Sequence, residues 1–169
     1  MTDVPAIPRP SLLWKQLSSD RKVAAAGAFW RDDNAHIEQA EAVAAIAQRI
    51  KFRALSVLKM PVEKKAQYLA TLPGVSDIMA ARLLVAYHLD TQRPMMGSFL
   101  DALGIKHEEG LIADEDVQTP AAETLKGAAA TIATQYPAED VALYLSTLVW
   151  QDPETWGALS DAPEVQAVA

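Results

Sequence analysis

An all-α fold, an irregular bundle of six or seven helices, is what this sequence predicts, and three observations predict it. Apolar residues recur at three- and four-residue spacing along most of the chain. No stretch shows sustained strand alternation bounded by hairpin turns. Prolines and glycines fall where helices would begin and end. At 169 residues, 50% apolar and 22% charged, the composition is that of a globular chain. A chain of this length buries about 70% of its unfolded surface. The expected organisation is an extended leader over 1–10, a single helical domain over 11–159, and a disordered tail over 160–169.

Taken in order, Pro5, Pro8 and Pro10 space the leader, and Ser11 can cap a short helix bearing Leu12, Leu13, Trp14 and Leu17. Ser18, Ser19 and Asp20 form the next start signal, with Val23, Ala26, Gly27 and Trp30 on one side. Asp32, Asp33 and Asn34 interrupt that helix and begin another, whose Ile37, Ala40, Val43, Ala44, Ala47 and Ile50 share a face. Pro61 reads as a first-turn proline, with Glu63 favoured near the positive end of the helix dipole. That helix runs to about Leu72, where Pro73-Gly74 stops it.

A strongly apolar helix follows over about 76–89 and is expected to be central and enclosed. Met95 to Leu103 reads as a helix ended by Gly104. The acidic stretch His107 to Val117 is expected to be a loop or a single turn. Thr119-Pro120 opens a helix with Ala122, Leu125, Ala129 and Ile132 inward, and Tyr136-Pro137 restarts the chain for a stripe of Val141, Tyr144, Leu145, Leu148 and Val149. Asp152-Pro153 ends it, leaving a short helix around Trp156. The starts at Leu17, Met60 and Tyr136 resemble one another, but the third is out of step with the 43-residue spacing of the first two. Ordinary capped N-termini explain them better than a repeat.

Charge is unevenly spread. Residues 49–93 carry eight cations against three acids, a balance of +5, whereas residues 94–169 carry two against thirteen, a balance of −11. A sequence pI near 4.9 argues against indiscriminate nucleic-acid binding, while the basic middle keeps a local version open. With no cysteine, disulfides and thiolate chemistry are excluded. No apolar signal core follows the leader, and the run Ile78–Leu89 is too short to span a bilayer. A cytoplasmic protein without a membrane partner is expected.

The sharpest local pattern is Leu72-Pro73-Gly74-Val75, with Ala80, Ala81, Leu83 and Leu84 downstream. It resembles the helix-hairpin-helix element of DNA repair and replication proteins over about 20 of the 169 residues. That resemblance implies a tight turn presenting backbone N–H groups to a phosphate, with Gly74 and Ser76 at the turn and Lys59, Lys64, Lys65 and Arg82 as backbone-contacting cations. Ser76 stands where the family has a second glycine, and Asp77 beside it has the wrong sign for a phosphate.

Catalytic and metal patterns are sparse. His36, His88 and His107 form neither His-Glu-x-x-His nor Glu-x-x-His, and no phosphate loop or nucleophile elbow occurs. No metal, cofactor or catalytic residue is assigned. Trp14, Trp30, Trp150 and Trp156 are candidate interface anchors, since tryptophan is enriched at protein contacts. Alanine-rich helix faces, as at Ala42–Ala47, offer close approach. The reading ranks a non-enzymatic protein-interaction or self-association module first, with a protein partner or a homo-oligomer. A nucleic-acid-binding helical domain is the alternative, and an enzyme with a site near His88 or His107 comes third.

Overall fold

The computed structural model describes residues 7–112 and 118–166, and its architecture is all-α. Eleven α-helices and a two-stranded hairpin are present among the described residues. This exceeds the expected six or seven helices because several are single turns whose periodicity is too short to see. The chain divides into two compact units: Pro10–Asp90, and Met1–Arg9 together with Thr91–Ala169. The first holds eleven cations against eight acids, +3; the second holds four against fourteen, −10. The charge asymmetry of the sequence is therefore an asymmetry between units.

In the basic unit, α1 spans Pro10–Gln16 and α2 spans Ser19–Trp30. Ser18 caps α2 as its sequence suggests, its hydroxyl accepting from the Arg21 N–H at 3.3 Å. Helix α3, His36–Ile50, ends at Lys51 in the left-handed conformation (φ 58°). The Phe52 N–H then donates back to the Ala47 carbonyl at 3.0 Å, the hydrogen bond of a helix C-terminal turn. Helix α4, Ala54–Leu58, and helix α5, Val62–Ala70, follow. Pro61 is the cap residue before α5, one position earlier than expected, and its carbonyl accepts from Lys64 and Lys65. The most extensive pairing in this unit sets α2 against α5, where Ala25, Ala26, Phe29, Ala66 and Leu69 are all buried. Small alanines let the two backbones approach.

Helix α6, Asp77–Thr91, is capped by the Ser76 hydroxyl, which accepts from the Met79 N–H at 3.2 Å. Met79, Ala80, Leu83, Leu84, Ala86, Tyr87 and His88 are buried along it. Ile78 lies exposed at its first turn, so enclosure begins one residue later than the apolar run does. The His88 Nδ1–H donates to the Leu84 carbonyl at 2.7 Å, and burial pushes its imidazole down to about 4 from 6.5.

The acidic unit begins with α7, Arg93–Leu103, closed by Gly104 in the left-handed conformation (φ 70°), as its position predicts. The expected loop at 107–117 is instead, over its described part, an antiparallel hairpin of β1 (His107–Glu108) and β2 (Leu111–Ile112). Glu109 and Gly110 both adopt positive φ, 50° and 86°, the arrangement of a two-residue hairpin turn. Residues 113–117 lie outside the described part. Helix α8, Ala122–Ala133, packs on α7 and on α9, Ala138–Gln151. Phe99 anchors this core edge-on to Tyr144, with centroids 5.7 Å apart, and Trp156 lies 6.0 Å from it.

Asp152 caps α10, Pro153–Trp156, accepting from the Thr155 N–H at 3.2 Å. The Thr155 hydrogen bonds hold its carboxyl below the ordinary range. Residues 160–166, expected to be disordered, continue as a 3₁₀ turn and α11, Pro163–Gln166. Leu159, Ala162 and Val165 are fully buried there, which gives this tail its order; residues 167–169 lie outside the described part. Of the leader, Pro8 is buried and its carbonyl accepts from the Trp150 indole N–H at 3.0 Å.

Because the folded state keeps His88 neutral, stability is complete above pH 6.5 and falls as pH drops toward 4, where the unfolded chain takes up the proton first. Urea unfolding at about pH 7 and pH 5 is expected to differ by about 2 kcal/mol from this residue, a difference that His88→Gln removes.

Candidate interaction surface

Two regions of the basic unit and one of the acidic unit place functional-type side chains at the surface. The first is the turn between α5 and α6. It joins α5 to α6, but Gly74 has an ordinary φ, and nothing lies within 4 Å of where its Cβ would be. Neither close approach nor backbone strain requires glycine at this position. Asp77, the acid beside the turn, accepts through Oδ1 from the Ser11 N–H at 3.1 Å. Its charge thus serves the N-terminus of α1, where backbone donors are unsatisfied and the dipole favours an anion.

The cations expected around this turn are dispersed. Arg82 donates to the Asn34 carbonyl and so ties α6 to the loop before α3. Lys65 lies over the Trp30 ring, 4.7 Å from its centroid, and donates to the Leu58 carbonyl at 3.5 Å. Lys59 and Lys64 are exposed. The turn instead borders a groove of about 290 Å³ lined by Trp14, Lys15, Lys22, Leu72, Gly74 and Val75 among others. Lys15 and Lys22 were not among the expected residues. They lie some fifty residues before the turn, and no local spacing joins them to it.

The second region is α3's C-terminus and α4. Val57 is fully buried, whereas Phe52, Leu55 and Leu58 are 51%, 60% and 55% exposed. Leu55 and Leu58 stand three apart and share a helix face. Arg49, Lys51, Arg53 and Lys59, all exposed, interleave with these apolar side chains, and no acid occurs between Glu41 and Glu63. On α3, Ile37, Ala40 and Ala44 are also exposed. The sequence contains every one of these residues. What it does not contain is any sign that Phe52, Leu55 and Leu58 point to solvent.

The tryptophans occupy different places. Trp14, Trp30 and Trp156 are buried as core residues and offer no interface, which corrects their assignment as surface anchors. Trp150 is 39% exposed and retains a surface edge. Large aromatic side chains bury more apolar area than any others, so the core claims them first.

The third region is the hairpin. The Gly110 N–H donates to His107 Nδ1 at 3.1 Å, which places the ring proton on Nε2, and that N–H donates to Asp101 Oδ1 at 2.7 Å. Both ring nitrogens are thereby engaged in holding the hairpin. A Cβ on Gly110 would meet the Met96 side chain at 2.6 Å, and one on Gly97 would meet the His107 ring at 3.0 Å. Among the described residues, no group of three or more histidines and acids could hold a metal ion, and no helix is long and apolar enough to cross a membrane. Comparison with protein-family models, with curated proteins and with solved structures finds no match to this chain.

The two glycine turns make opposite predictions. Gly74→Ala is expected to leave thermal stability unchanged or slightly raised, whereas Gly110→Ala is expected to cost at least about 1–3 kcal/mol through strain and the Met96 clash. Thermal melts of the two variants check both.

Proposed function

We propose that this protein is a non-enzymatic interaction module whose docking surface is formed by Phe52, Leu55 and Leu58 within a ring of Arg49, Lys51, Arg53 and Lys59. The observation that carries this reading is the outward placement of three large apolar side chains within seven residues, each more than half exposed. Single exposed leucines need no explanation; an apolar cluster rimmed by one sign of charge is the anatomy of a protein contact. A partner presenting apolar residues amid carboxylates fits it best, because opposite charge steers the encounter while apolar burial supplies affinity. A photo-crosslinking residue at Leu55 is expected to give a protein adduct in the cell, while one at exposed Gln135 gives none. Absence of any adduct from position 55 removes the reading.

A second reading is favoured by the groove beside the 72–75 turn, which Lys15 and Lys22 line together with that turn. It would take a nucleic-acid phosphate through two cations and the turn's backbone. Its expected signature is single-stranded or duplex DNA binding at low salt that weakens steeply with added salt, and that Lys15→Glu with Lys22→Glu reduces by about tenfold. No binding at low salt disposes of it.

A further inference from the structure

We infer that the occupant of the Phe52–Leu55–Leu58 surface is the hairpin of a second copy of this chain, a conclusion that rests on the docking surface proposed above. The hairpin carries the complementary features. Glu108 and Glu109 are exposed on it, and Leu111 and Ile112 are 46% and 41% exposed beside them. Apolar side chains among carboxylates thus stand on the unit of charge −10, and apolar side chains among cations on the unit of charge +3. Both elements are at the surface of the same molecule, so every copy offers one of each.

The hairpin is built as a rigid knob rather than a pliable loop. His107 is fixed from both ring nitrogens by Gly110 and Asp101. Gly97 and Gly110 allow β1, β2 and α7 to approach closer than a methyl group would permit. The Arg93 guanidinium donates to the Glu109 carbonyl at 3.2 Å and lies 4.0 Å from the Glu109 carboxylate, so it orients the turn and leaves Glu108 as the open acid. A preorganised element loses little freedom on binding, which favours association from a small contact. Because the contact joins two different elements, each copy can both offer a hairpin and receive one.

Sedimentation velocity over about 1–500 µM at low salt, repeated at about 0.5 M salt, tests the inference on the full chain. The expected result is a monomer–dimer equilibrium whose dissociation constant rises about tenfold with salt. Arg53→Glu with Lys59→Glu, and separately Glu108→Lys with Glu109→Lys, are each expected to remain monomeric. Mixed together, the two variants are expected to form a heterodimer, because the reversed charges again complement. Leu111→Ser repeats the hairpin arm without altering the Arg93 contact, should circular dichroism show the charge-reversed hairpin disturbed. A strict monomer throughout overturns the inference. Dimerisation that the patch variant abolishes and the hairpin variants leave intact overturns it too, while sparing the docking surface for another occupant. Dimerisation indifferent to both variants removes inference and docking surface alike. Binding of the patch to phosphatidylserine vesicles in place of self-association also overturns it.

Discussion

A five-residue helix cannot bury two faces, and α4 spends its one inward face on Val57. The left-handed stop at Lys51 sets this up: by turning the chain back so that Phe52 bonds Ala47, it ends α3 and starts a new helix direction. Once Val57 points inward, the periodicity of the helix carries Leu55 and Leu58 outward with no choice of rotamer to rescue them. Lysine occupies that left-handed position where glycine would be easier, so the geometry is held against a modest backbone cost. The surrounding cations follow from the same placement, since Arg49, Lys51 and Arg53 flank the stop in sequence. Position in the fold, not composition, turns these residues into a surface.

Much of the helical framework was legible because it depends on local chemistry. Ser18, Ser76, Gly104 and Asp152 cap or close helices where their sequence contexts suggest, and the apolar run over 76–89 becomes the buried α6. The hairpin was not legible. Its strands are two residues each, too short for alternation to register, and its turn places Glu rather than Asn or Asp before Gly110. Helix α4 escaped for a similar reason: its five residues offer little more than one turn of pattern, and its leucines read as core. The order of residues 160–166 came from tertiary burial of Leu159, Ala162 and Val165, a cause that local sequence does not carry.

The candidate site was the least readable part. Arg82 and Lys65 look like phosphate-facing cations when arranged along a line, yet each is committed within the basic unit, to a carbonyl and to an indole face. Side-chain direction decides between those fates, and direction is a property of the folded state. Tryptophan shows the same limit, because the features that make it a good interface anchor make it a better core residue. Charge segregation, by contrast, was visible from the outset. It needed only the boundary near residue 90 to become a property of two bodies.

One contact has a bearing on biosynthesis. The indole of Trp150 reaches the carbonyl of Pro8 across 142 residues, and Met1–Arg9 cluster with Thr91–Ala169. A segment early in this sequence therefore belongs to the body that its last helices complete. Residues 10–90 can condense while the segment before them waits for α9, which is translated later. A change that weakens the hold on Pro8 would burden the late-forming body while sparing the early one.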